Sequence, residues 1–198
     1  VLRMMRTIKI FLVSILFIAS SCKITQTGKS GNDGKKGVKK EDISTSAFFI
    51  DSTLVKKHLY TLASDEMEGR RSGTKGIEKA AQYIENEFKR IGLTNFEGLN
   101  SYRQTFTFTN RRSKKEIESA NIIGVLEGKS KKDEYVIISA HYDHLGIGKP
   151  IEGDSIYNGA NDDASGVTGV LALADYFKKV GNERTIVFAA FTAEEMGL

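Results

Sequence analysis

The chain is predicted to fold in the α/β class, with helices on both faces of a mixed, mainly parallel β-sheet. Three observations carry this. "ANIIGVLEG", "EYVIISA" and "TIVFAAF" are short apolar runs rich in β-branched residues, bounded by polar or glycine punctuation. Such runs suit central strands covered on both faces. Between the last two lies a helical pattern with Val167, Val170, Leu171, Ala174 and Phe177 on one face. Strand, helix and strand in that order form a βαβ unit, so the flanking strands are expected to be parallel.

The remaining elements follow in order. Leu54, Val55, His58, Leu59 and Leu62 fall on one face of a first helix. The glycine-bearing loop "SDEMEGRRSGTKG" comes next. Ile77, Ala80, Ala81, Ile84, Phe88 and Ile91 define a second helix, and Gly92 is placed to end it in the left-handed conformation. "RQTFTFT" alternates apolar and polar residues, as an edge or half-exposed strand does.

With 198 residues the chain has room for one sizeable core. Its formal charge of +4 is unevenly spread: residues 1–22 carry +3 and residues 23–42 another +3, which leaves about −2 for the rest. The domain is therefore not basic, and no nucleic-acid partner is expected.

The first 22 residues run from Arg3, Arg6 and Lys9 through "IFLVSILFIA" to "SSC". This is a charged start, an apolar stretch short of the roughly 20 residues that span a membrane, and a small-residue cleavage zone. The order resembles a bacterial lipoprotein signal with "ASSC" as its lipobox, the first position being Ala19 where Leu is commoner. That resemblance implies lipidation of Cys22, the only cysteine, and a lipid-anchored location in the cell envelope. An ordinary secretory signal with an incidental cysteine is the alternative. Residues 23–46 are rich in Gly, Lys, Ser and Thr and read as a flexible tether. Residues 47–198 are left for the folded domain.

Open α/β sheets bind ligands at the carboxyl ends of their strands. "EYVIISA" is followed at once by "HYDHLG", and "TIVFAAF" by "TAEE". The intervening helix starts near "GANDDASG". His141, Asp162, Asp163, Glu194 and Glu195 are thus expected along one edge. Several carboxylates in a partly dry cleft need neutralising, and imidazole with carboxylate oxygens suits zinc, with manganese or cobalt also possible. The bland alternatives are that Asp162 or Asp163 caps a helix, and that the glutamates are solvated charges at a helix start.

"SAHYDHLG", "NGANDDASGVTGVLALA" and "FTAEEMGL" together resemble the leading active-site segments of metallopeptidase family 28, the di-zinc aminopeptidases. "LASDEMEGRRSGTKG" and "NIIGVLEG" resemble its N-terminal region, so the likeness runs over about residues 54–198. It implies a zinc exopeptidase-like fold and two zinc ions. His141 would ligate one zinc, Asp162 would bridge both, and Glu195 would ligate the other. Glu194 would be general base and acid, and Asp143 would orient the His141 imidazole. A cis peptide is implied between Asp162 and Asp163. A loop-stabilising role is expected for His144, with ligation as the alternative, a core or boundary role for His58, and a turn role for Arg70 and Arg71.

The resemblance further implies an aspartate and a histidine ligand from segments beyond Leu198, so the 198-residue chain alone is expected to be inactive. The expected function is aminopeptidase hydrolysis of peptides. Carboxypeptidase and glutaminyl cyclase activity on the same fold, and a non-catalytic envelope lipoprotein, are the alternatives.

Overall fold

The computed structural model describes residues 50–198. The signal segment, Cys22 and the tether lie outside the described residues. Three helices, α1 (Ser52–Leu62), α2 (Lys75–Ile91) and α3 (Ser165–Val180), accompany seven strands. The strands are β1 (Thr94–Asn95), β2 (Arg103–Thr109), β3 (Glu116–Leu126), β4 (Lys131–His141), β5 (Gly146–Ile151), β6 (Asp154–Tyr157) and β7 (Arg184–Phe191). None of the described helices is long and apolar enough to cross a membrane.

Each helix forms where its pattern places it. Asp51 caps α1 by accepting from the Thr53 N–H at 2.8 Å. All six apolar positions of the α2 face are buried. Gly92 follows with φ +78°, its N–H bonded to Phe88 O, which is the left-handed ending that glycine permits. On α3, Val167, Val170, Leu171 and Ala174 are buried.

The main sheet runs β1-β3-β7-β4, with β2 also paired to β3. β7 lies between β3 and β4, and its six inner residues are buried. The βαβ unit is present: β4 and β7 are parallel and α3 crosses between them. The other pairings, β1 with β3, β2 with β3, and β3 with β7, are antiparallel. The sheet is therefore mixed, as expected, but only one described pairing is parallel rather than most. The connection from β3 to β4 is too short for a crossover of a dozen or more residues, so β4 must run opposite to β3. Apolar composition matched burial in β7 and in the middle of β3, but β4 ends the described sheet with Tyr135, Val136 and Ile137 exposed, so it is not covered on both faces among the described residues.

All three helices contribute to one core with Ile122, Ile186, Phe188 and Ala190 of the sheet. The opposite face carries Ile123, Val125, Val187 and Ala189, and none of the described helices packs there. The expectation of helices on both faces is met on one face among the described residues.

The β5–β6 hairpin went unforeseen. Its turn, Glu152-Gly153, has φ +52° and +92° at the two central residues. Positive φ at both positions is the turn geometry that matches strand twist, and the Gly was its one sequence signal.

Candidate metal centre

The parallel register places His141 of β4 level with Phe191 of β7. Both strands therefore deliver their following residues to the same edge. α3 begins there too, through the wide turn Ala160–Ala164. The three segments named from the sequence meet at this edge.

Asp162 stands at the junction. Its Oδ1 lies 3.0 Å from His141 Nε2. On its other side it forms a group with His144 and Glu195, one potential ligand atom from each lying within 4.8 Å of the others. His144 Nδ1 is 2.7 Å from Glu195 Oε1. Glu194 places Oε2 3.9 Å from His141 Nε2, and its side chain is 59% exposed against 18% for Glu195. The adjacent glutamates thus face different surroundings: Glu195 rests against the His144 imidazole, and Glu194 is open to solvent.

His141 settles its own tautomer. Nδ1 lies 3.2 Å from the main-chain carbonyl of Asp143, which can only accept, so Nδ1 carries the proton. Nε2 is then a lone pair facing the carboxylate oxygen of Asp162. Two acceptors at that separation repel unless a cation or a proton lies between them. Imidazole nitrogen and carboxylate oxygen without thiolate is a donor set that fits zinc.

Asp143 is fully buried. Its carboxylate accepts from the N–H groups of Glu194 and Glu195, each at 3.2 Å, and from the Ser72 hydroxyl at 3.3 Å. His141 Nδ1 is 3.6 Å from Oδ1, outside hydrogen-bond range. The imidazole is therefore held by the Asp143 carbonyl, while the carboxylate fixes the backbone that presents both glutamates. Burial pushes the Asp143 carboxyl above its ordinary value, and the two backbone N–H groups and His141 pull it back.

The two aspartates divide the work that composition left open. Asp163 accepts from the Gly166 N–H at 2.8 Å and from the His141 N–H at 3.3 Å, so it caps α3 and ties it to the end of β4. Asp162 turns instead to the histidines. The peptide between them is cis. A Cβ at Gly166 would sit 2.3 Å from the Asp163 carboxylate. At Gly159, with φ +59°, a Cβ would sit 2.4 Å from Asp162 O and 2.5 Å from the His144 ring. Glycine is required at both places because backbone and side chains approach so closely.

Arg70 goes beyond its expected turn role. It is fully buried with φ +50°. Its fork donates to the carbonyls of Tyr142 (2.9 Å), Leu62 (2.5 Å), Asn158 (2.6 Å) and Gly159 (2.9 Å). Its own carbonyl accepts from the His144 N–H at 3.1 Å. One side chain thus joins the end of α1, the His141–His144 segment and the turn leading to Asp162. Burial lowers its pKa to about 10, while Asp143, Asp162 and Asp163 act to raise it.

His144 is the residue that sequence reasoning undervalued. Its short spacing from His141 carries no periodic signal, and only the fold brings it to Glu195. His58 is buried on α1 against Tyr83, as its apolar face implied. Tyr142 is buried, donating to Ala120 O at 2.6 Å.

The fold is zinc exopeptidase-like, α/β with a mixed sheet. Residues 121–198, the stretch that contains all three motifs, match the family model described as Peptidase family M28. A vacuolar membrane protease of Kluyveromyces lactis is 41% identical over 81 residues, covering 41% of this chain and 8% of that protein. A probable zinc metalloprotease of Pyrenophora tritici-repentis is 39% identical over 82 residues, covering 41% of this chain and 19% of that protein. The fold is similar to Bacteroides thetaiotaomicron glutaminyl cyclase, with TM-score 0.60 and 20% identity over 73% of this chain and 47% of that one. It is also similar to a leucine aminopeptidase precursor of the same organism, with TM-score 0.56 and 19% identity over 73% and 48%. The chain thus spans under half of these solved structures and less than a fifth of these relatives.

Proposed function

We propose that the whole protein is a zinc exopeptidase that removes N-terminal residues from peptides, and that it works with two zinc ions. The observation that supports it most is the placement of Asp162 between His141 and the His144–Glu195 pair, with Glu194 open beside them. His141, Asp162 and Glu195 would hold the metal, which would supply acidification of water and polarisation of the scissile carbonyl.

The chain's own groups do the rest. Glu194 accepts the proton of the attacking water and returns it to the leaving amine. His144 donates to Glu195 and keeps that carboxylate turned toward Asp162, as partners of ligating groups do. The Asp143 carboxylate holds the backbone from which both glutamates project. The lipoprotein-like order around Cys22 supports an envelope location, with the membrane as anchor and peptides as substrate.

The test is zinc stoichiometry of the full-length protein together with hydrolysis of amino-acid anilides and short peptides. Chelator-sensitive release of N-terminal residues is expected. Cyclisation of N-terminal glutamine without amide hydrolysis would move the assignment to glutaminyl cyclase. Absence of both zinc and turnover would leave a non-catalytic lipoprotein.

A further inference from the structure

Beside the metal centre lies a second, basic feature. A cleft of about 630 Å³ is lined by Arg71, Arg111, Arg112, Asn110, Glu195 and Met196, among others. The described residues contain seven arginines. Arg90, Arg103 and Arg184 make carboxylate ion pairs, and Arg70 is spent on carbonyls. The remaining three, Arg71, Arg111 and Arg112, have no carboxylate within 4.0 Å among the described residues, and all three line this cleft.

The wall that carries Arg111 and Arg112 is an ordered turn. The Asn110 side chain accepts from the Arg112 N–H at 3.0 Å and the Ser113 N–H at 2.9 Å. Its amide group also reaches Met196 Sδ at 3.6 Å. The turn is therefore tied to the residue that follows Glu195. Arg71 is held on the other side by donation to Leu145 O at 3.1 Å. Glu195, the acidic group in the wall, is engaged by His144. Three arginines against one glutamate leave the cleft net positive among the described residues, in a domain whose net charge is slightly negative.

We infer that this cleft receives a carboxylate of the peptide substrate, and that Arg71, Arg111 and Arg112 set a preference for substrates bearing one. The inference rests on the exopeptidase reading. Guanidinium forks match carboxylates bidentately, and three like charges in one cleft are relieved by an incoming anion. Glu195 belongs both to the metal group and to the cleft wall, so a peptide cleaved at the metal group extends its neighbouring residues into the cleft. The carboxylate comes either from the C-terminus of a short peptide or from an acidic side chain.

The experiment uses the full-length protein with paired peptides. Ala-Ala-Ala against Ala-Ala-Ala-amide tests the C-terminal source. Ala-Ala-Glu-amide against Ala-Ala-Gln-amide tests the side-chain source. One pair or both is expected to favour the acid at least about tenfold in kcat/KM, the scale of one charge-assisted fork. Arg111→Gln with Arg112→Gln should bring that ratio near unity, as should raised salt. Equal rates within both pairs in the wild type overturn the inference, as does a ratio unchanged by the double substitution. Should no peptide be hydrolysed, the exopeptidase reading fails separately, and calorimetric binding of the same pairs still decides the cleft. Binding of anionic lipid vesicles, lost in the double variant and accompanied by no peptide preference, assigns the arginines to a membrane surface and likewise overturns it.

Discussion

Replacing Arg70 by Met removes the side chain that holds the site's three supporting segments together. Two buried carbonyls, of Tyr142 and Leu62, and two part-buried ones, of Asn158 and Gly159, lose their donors. An unsatisfied buried polar group costs about 1–3 kcal/mol, so the two buried carbonyls cost about 2–6 kcal/mol and the part-buried pair adds a smaller amount. Against this stands the guanidinium's own desolvation, worth several kcal/mol, which methionine does not incur. The expected net destabilisation is about 3–5 kcal/mol, a large share of the 5–15 kcal/mol typical of a domain. For a domain of this size it amounts to a fall in Tm of about 6–20 °C. Arg70→Lys keeps the charge but loses the planar fork, so it should fall between the two. Thermal and urea unfolding of the full-length protein measure both. Hydrogen exchange at Asn158 and Gly159 should quicken in each variant. Arg70→Met with Tm within about 2 °C of wild type would refute the bracing role.

Further outcomes are expected. Glu194→Gln should lower kcat by about 10²–10⁴ while zinc content, read by atomic absorption, stays at the wild-type level; loss of metal in step with activity would make Glu194 a ligand instead. Gly166→Ala drives a Cβ into the Asp163 carboxylate at 2.3 Å, so it should destabilise by about 1–3 kcal/mol in urea titration, and a neutral effect would show that the cap readily moves. Burial lowers the His58 pKa below 6.5, with Glu87 and Asp175 opposing and Lys57 and Arg90 assisting. Between that lowered pKa and 6.5 the unfolded chain binds the proton that the folded one does not, so stability is full above pH 6.5 and falls as pH drops through the window. Urea midpoints at pH 7.5 and 5.5 should differ less in His58→Gln than in wild type, and an equal difference would remove His58 from the account.

Much of the site was legible because its chemistry sits where strands end. The βαβ pattern alone put His141, Asp162 and the two glutamates on one edge, and the register of β4 against β7 places them there. The hairpin β5–β6 was not legible: its strands are short, and Ile147 and Ile151 are exposed rather than alternating against a core. His144 and Arg70 escaped for a related reason. Apart from the Arg70–Leu62 contact their partners are far in sequence, and no local pattern announces a contact 51 or 88 positions away.

The amino-acid order was enough for the helices, the buried strand β7, the edge where the acids gather and the family likeness. These follow from local periodicity and from residue types whose chemistry is the same in any context. Long-range packing assigned the roles within that edge. It turned Asp163 inward as a cap and Asp162 outward to the imidazoles, and gave the Asp143 carboxylate to the glutamate backbone rather than to His141. It also left three arginines facing one cleft. Such choices depend on which groups lose water together, and that is set only when distant segments meet.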